Sequence, residues 1–169
     1  MMKNMVNIIC NVTKKRVFLI LIALIILIIM IVLLIINVVP KRLDDILEEN
    51  QYKLVTEYKA GSKMGEVTLS RNTIKYTNDE ISIMIYEFNN IEEIKKEGKT
   101  IYNRYKDNIG FTTKFIEEDK YIYICACDSQ QCFYTLGYGN ELLQSIVNIK
   151  LKKETDEIYN SIIKEKKLD

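Results

Sequence analysis

Residues 111–137 read FTTKFIEEDKYIYICACDSQQCFYTLG, three strand-like runs separated by two polar tetrapeptides. The runs are Phe111–Glu117, Tyr121–Cys127 and Cys132–Gly137. The linkers are Glu117-Glu118-Asp119-Lys120 and Asp128-Ser129-Gln130-Gln131. Aromatic and β-branched residues bounded by short polar turns predict an antiparallel meander. In the middle run, Tyr121, Tyr123, Cys125 and Cys127 alternate with Ile122, Ile124 and Ala126. A period of two assigns the first set to one sheet face and the second set to the other.

Working outward, Tyr52–Tyr58, Glu66–Ser70, Asn72–Tyr76 and Ile81–Phe88 are further strand candidates, broken by the turns at Gly61–Gly65 and Thr77–Glu80. The last of these is apolar on both sides, as a central strand would be. Asn90, with Glu93 three residues on, opens a helix in a capping-box-like arrangement. Ile91, Ile94, Gly98, Ile101, Tyr102 and Tyr105 share its apolar face, and Gly98 there predicts close approach to a sheet. A second helix is expected from Asn140, with Leu142, Leu143, Ile146, Val147 and Leu151 as its stripe. The apolar residues Ile158, Ile162 and Ile163 then either continue that helix or form a separate one. An antiparallel sheet with two helices packed on one face would bury both stripes.

Upstream of this region, residues 17–39 read VFLILIALIILIIMIVLLIINVV, with Asn37 as the sole interruption. A helix of that length, at about 1.5 Å per residue, crosses a hydrocarbon core of about 30 Å. Lys14, Lys15 and Arg16 precede the run, with Lys3 further upstream, and Lys41 and Arg42 follow it. The excess of basic residues before the run places the N-terminus inside. The exit, Asn37-Val38-Val39-Pro40, lacks a small-residue cleavage pattern, so a retained signal anchor is expected. The predicted organisation is a short cytosolic segment at 1–16, a single transmembrane helix at 17–39, a juxtamembrane stalk at 40–51 and a small extracytoplasmic α+β domain at 52–169. Asn11-Val12-Thr13 spells a glycosylation acceptor but falls on the cytosolic side of this topology.

All 23 acidic residues and 20 of the 24 basic ones lie beyond Pro40, giving that part a formal charge of −3. Without a basic patch, nucleic acid is not an expected partner. The expected partners are the lipid bilayer, through residues 17–39, and an envelope protein or wall component. Histidine is absent throughout, which removes Ser-His and Cys-His pairs, histidine zinc sites and a histidine pH switch.

The compact constellation is Cys125-Ala126-Cys127 followed by Cys132. Three readings of it compete. Cys127 and Cys132 flank a four-residue loop and could face each other as a disulfide. Cys125, Cys127 and Cys132 could bind a soft metal as thiolates, although a fourth ligand is missing. All three could instead be buried free thiols. Gly98-Lys99-Thr100 imitates the end of a P-loop, but Glu93 stands where the first glycine is needed. Ser161-Ile162-Ile163-Lys164 has the S-x-x-K spelling without its companion motifs. The carboxylate runs Asp44/Asp45, Glu92/Glu93 and Glu117–Asp119 fall in polar turns or on solvated helix faces.

No catalytic residue, cofactor or metal site is expected. The functional expectation is therefore a membrane-anchored, non-catalytic binding or adaptor module outside the membrane. The alternatives are an envelope enzyme using carboxylate or cysteine chemistry and an accessory subunit of a signalling or transport complex.

Overall fold

The computed structural model describes residues 21–31 and 41–168. The chain divides into two compact units after Pro40. Within the first, residues 21–31 form helix α1, with every side chain exposed. Eleven residues extend about 16 Å, roughly half of a hydrocarbon core. Among the described residues no helix is long and apolar enough to cross a membrane. The rest of the expected span 17–39, and residues 1–16 with Lys14, Lys15 and Arg16, lie outside the described residues.

The second unit is a small α+β domain. Its elements run α2 (Leu43–Glu49), β1 (Lys53–Tyr58), β2 (Lys63–Met64), β3 (Val67–Thr68), β4 (Thr73–Thr77), β5 (Ser82–Glu87) and α3 (Ile91–Tyr105). After these come β6 (Thr112–Glu117), β7 (Tyr121–Cys127), β8 (Gln131–Tyr138), β9 (Glu141–Asn148), a 3₁₀ turn (Ile149–Leu151) and α4 (Lys152–Glu165). Seven strands form one antiparallel sheet in the order β1-β4-β5-β9-β8-β7-β6, and β2 and β3 form a separate hairpin. The meander β6–β9 follows α3 and returns β9 to pair with β5, with Ile85 opposite Leu143. Both ends of the chain segment therefore build one sheet.

Register partners assign the two faces. Tyr121, Tyr123, Cys125 and Cys127 stand opposite Tyr138, Leu136, Tyr134 and Cys132. They share a face with Leu143, Ser145 and Val147 of β9. This face packs against α2 and α4 through Leu43, Ile46, Leu47, Ile158, Tyr159 and Ile162, forming the main core. The opposite face carries Ile122 and Leu142, which pack with Phe88 and Ile94 around α3. The expected placement of both helices on one face is thus corrected: α3 and α4 lie on opposite faces of the sheet. The reason is in β7, where all seven residues are buried. A strand that is apolar on both sides needs cover on both.

Three local features explain the elements. Asn90 caps α3, its Oδ1 accepting from the Glu93 backbone N–H at 3.0 Å. A Cβ on Gly98 would come within 2.6 Å of the Ile122 Cδ1, so the glycine lets α3 sit directly on β7. The third feature corrects the helix expected from Asn140. Gly139, at φ +55°, and Asn140 form a two-residue turn, and Glu141–Asn148 continues as strand β9. Leu142/Leu143 and Ile146/Val147 fit a helical stripe and a two-faced strand alike. The hairpin turn decides between them. The final helix starts only at Lys152.

The segment read as a stalk is also different. Leu43, Ile46 and Leu47 of α2 are 5%, 1% and 0% exposed, and the Tyr76 hydroxyl donates to Asp44 at 2.7 Å. Residues from Lys41 onward belong to the compact domain. A helix with one apolar stripe is stabilised chiefly by tertiary packing, and here the sheet supplies the packing partner.

Candidate functional site

The cysteine constellation lies at the edge of the main core, where α4 crosses the β6–β7 end of the sheet. A cleft of about 250 Å³ opens there. Strand β6 contributes Thr112 and Lys114, while β7 contributes Tyr123, Cys125 and Cys127. Helix α4 adds Lys152, Asp156 and Asn160, which recur every four residues along one face. Period two on the strands and period four on the helix aim these side chains into the same space.

Cys127 and Cys132 are register partners at the end of the β7–β8 hairpin. Their Cα atoms are 4.1 Å apart and the sulfurs are joined at 2.10 Å. Cys125 is the free thiol, buried one pleat along β7. Its Sγ is 3.6 Å from the Cys127 Sγ. The bond between Cys127 and Cys132 leaves the three-thiolate reading with Cys125 alone. Among the described residues no group of three His, Cys, Asp or Glu side chains is placed to hold a metal ion.

The polar groups of the cleft are largely committed to one another. Asp156 accepts from the Tyr134 hydroxyl at 2.7 Å and from the Lys152 ammonium at 2.5 Å. The hydrogen bond to Asp156 raises the Lys152 pKa, so its charge is held. Burial, followed by the Asp156 contact, pushes the Tyr134 hydroxyl up. Burial likewise raises Tyr123. The Cys125 thiol is pushed up by burial, against a smaller opposing pull from Tyr134. Thiolate is the nucleophilic form, so Cys125 is held in its less reactive state.

The outer rim is different. The Lys114 ammonium lies 5.5 Å from the centre of the Tyr123 ring. The side chains of Thr112, Lys114 and Asn160 make no hydrogen bond or ion pair among the described residues. Of the residues singled out in the sequence, Cys125, Cys127 and Cys132 are brought together here. Lys14, Lys15 and Arg16 lie outside the described residues. Lys114, Lys152, Asp156 and Asn160 were not singled out by sequence reasoning. Spacing gave a partial signal for the α4 set, but only the crossing of α4 over β7 relates it to the cysteines.

No known family's model matches the chain, and no curated protein matches it in sequence. Among solved structures the chain is similar to a GTP binding regulator from Thermotoga maritima. The two are 12% identical, with 69% of this chain and 82% of that one covered and a TM-score of 0.41.

Proposed function

We propose that this chain is a non-catalytic binding or adaptor module, tethered to the membrane through residues 17–39 and acting on its outer side. The observation that carries the binding reading is the state of the groups in the cleft. Its one carboxylate is engaged by Lys152 and Tyr134, and its one free thiol is pushed toward the protonated form. A general acid–base pair needs groups free to exchange protons near the working pH, and a nucleophilic cysteine needs a lowered pKa. This cleft has fixed charges and neutral hydroxyls over an apolar floor, which suits holding a ligand.

The tether reading rests on the 23-residue apolar run and the basic cluster Lys14-Lys15-Arg16 before it. The sheet domain begins at Lys41, directly after that run. The partner is an envelope protein or a wall component.

Photocrosslinking amino acids at Ile109 and Ile146, which are 101% and 64% exposed, test the proposal in native membranes. The expected result is one recurrent envelope partner or wall fragment captured at these positions. Recovery of the chain in the soluble fraction would sink the tether, and turnover by the purified protein would sink the non-catalytic reading.

A further inference from the structure

Three features of the cleft between β6–β7 and α4 point to the kind of ligand it takes. Its charges are the first. Two ammonium groups, Lys114 and Lys152, face one carboxylate, Asp156, leaving the site net positive by one charge. Because Asp156 is already paired with Lys152, the cation without a carboxylate partner among the described residues is Lys114, whose ammonium lies near the Tyr123 ring. The second is the donor set. The Thr112 hydroxyl and the Asn160 amide stand on opposite walls with Lys114, and none of the three has a protein hydrogen-bond partner among the described residues. The third is the floor, where Tyr123 and Cys125 are 4% and 6% exposed and present a ring and a sulfur.

A cationic ligand would meet Lys114 with Asp156 already occupied. A neutral apolar ligand would displace part of the water around three donors and give them nothing in return. A multiply charged phosphate ester would bring more negative charge than the one uncompensated ammonium can match. What remains is a single negative charge joined to a small apolar body. We infer that this cleft is a binding site for a small organic monocarboxylate, its carboxylate held by Lys114, Thr112 and Asn160 and its apolar body lying on Tyr123 and Cys125. This deepens the binding-module reading by naming a ligand class, and it rests on that reading only in taking the cleft as a point of contact.

The full-length chain, reconstituted in lipid nanodiscs, is titrated with 4-fluorobenzoate and followed by fluorine NMR. Empty nanodiscs report partitioning into lipid. The inference expects saturable line broadening with the carboxylate and at least tenfold weaker binding of 4-fluorobenzylamine. Lys114→Ala is expected to weaken binding at least tenfold and Lys114→Arg to restore most of it, because both cations donate to a carboxylate. Asn160→Leu gives a smaller loss. Lys114 and Asn160 are exposed, and circular dichroism of each variant checks that the fold persists. Equal binding of acid and amine, no binding above empty nanodiscs, or an unchanged affinity in Lys114→Ala would each overturn the inference. Failure here together with partner capture at Ile109 or Ile146 would remove the carboxylate and leave the adaptor reading standing.

Discussion

Gly137 and Gly98 set how closely α3 lies on the sheet. A Cβ on Gly137 would collide with the Ile94 Cγ2 and press on Leu142 and Ile122. Ile94 is fully buried, and its Cγ2 is bonded to the branched β-carbon beside the backbone, so this group cannot swing aside. At Gly98 the nearest atom is the Ile122 Cδ1, the far end of a flexible side chain. There the clash is offset by the gain in helix propensity, about 1 kcal/mol for Gly→Ala. Gly137→Ala is therefore expected to destabilise by about 1–3 kcal/mol through overpacking. Gly98→Ala should stay within about 1 kcal/mol of wild type. Urea unfolding of the two variants checks the order, and equal costs would show that α3 does not rest on this contact. Gly98 was readable as a contact residue because it sits on an apolar helical face. Gly137 was not, since a glycine at the end of a strand reads as a turn until α3 is placed above it.

At the scale of elements, the β7–β8 hairpin is the part most open to a direct test. The Cys127–Cys132 bond closes a loop with a sequence separation of five. Chain entropy assigns a loop that short about 2 kcal/mol of stabilisation. Reduction, or the paired change Cys127→Ala with Cys132→Ala, is expected to lower the unfolding free energy measured in urea by about 2 kcal/mol while leaving the β-sheet circular dichroism intact. Alkylation of the unfolded, unreduced chain should label Cys125 and spare Cys127 and Cys132. Labelling at either of those would show that the bond is not formed in the protein as isolated. The meander itself was legible, because its strands are separated by polar tetrapeptides and their alternation is regular. Strand β9 was not, because its paired apolar residues satisfy two periods and only the Gly139-Asn140 turn separates them. The segment of helix α2 was read as part of a stalk. Its short stripe of Leu43, Ile46 and Leu47 has meaning only against a sheet whose strands come later in the chain. The cysteine part of the cleft was visible in the sequence for its density. The polar half was hidden, because β6 and α4 stand some forty residues apart and nothing local links them.

Across the whole molecule, tyrosine is the group most strongly affected by folding. Burial raises the pKa of Tyr52, Tyr76, Tyr123, Tyr134, Tyr138 and Tyr159 above the ordinary value of 10.0, with Asp44 adding to the effect at Tyr76 and Asp156 at Tyr134. The folded chain then keeps protons that the unfolded chain releases, so stability falls as pH rises. The contribution is fully present below pH 10, the unfolded value, and is lost as pH climbs from there toward the raised folded values. Stability measured in urea should be flat with respect to these groups up to about pH 9 and decline steeply beyond pH 10. Phenolate absorbance should rise in two stages, the second coinciding with unfolding. A single gradual rise with no loss of structure would show that these hydroxyls are accessible in the folded state.

Lys41 lies 2.9 Å from Glu49 and 3.8 Å from Glu165, the last residue of α4. The first residue of the domain therefore meets the end of its final helix, while the cleft centres on Asp156, roughly 14 Å back along that helix. Lys41 and the end of α4 thus stand at one pole of the domain. A reporter fused after Leu168 would join the domain more than two helical turns from Asp156, at a point that is not part of the cleft lining.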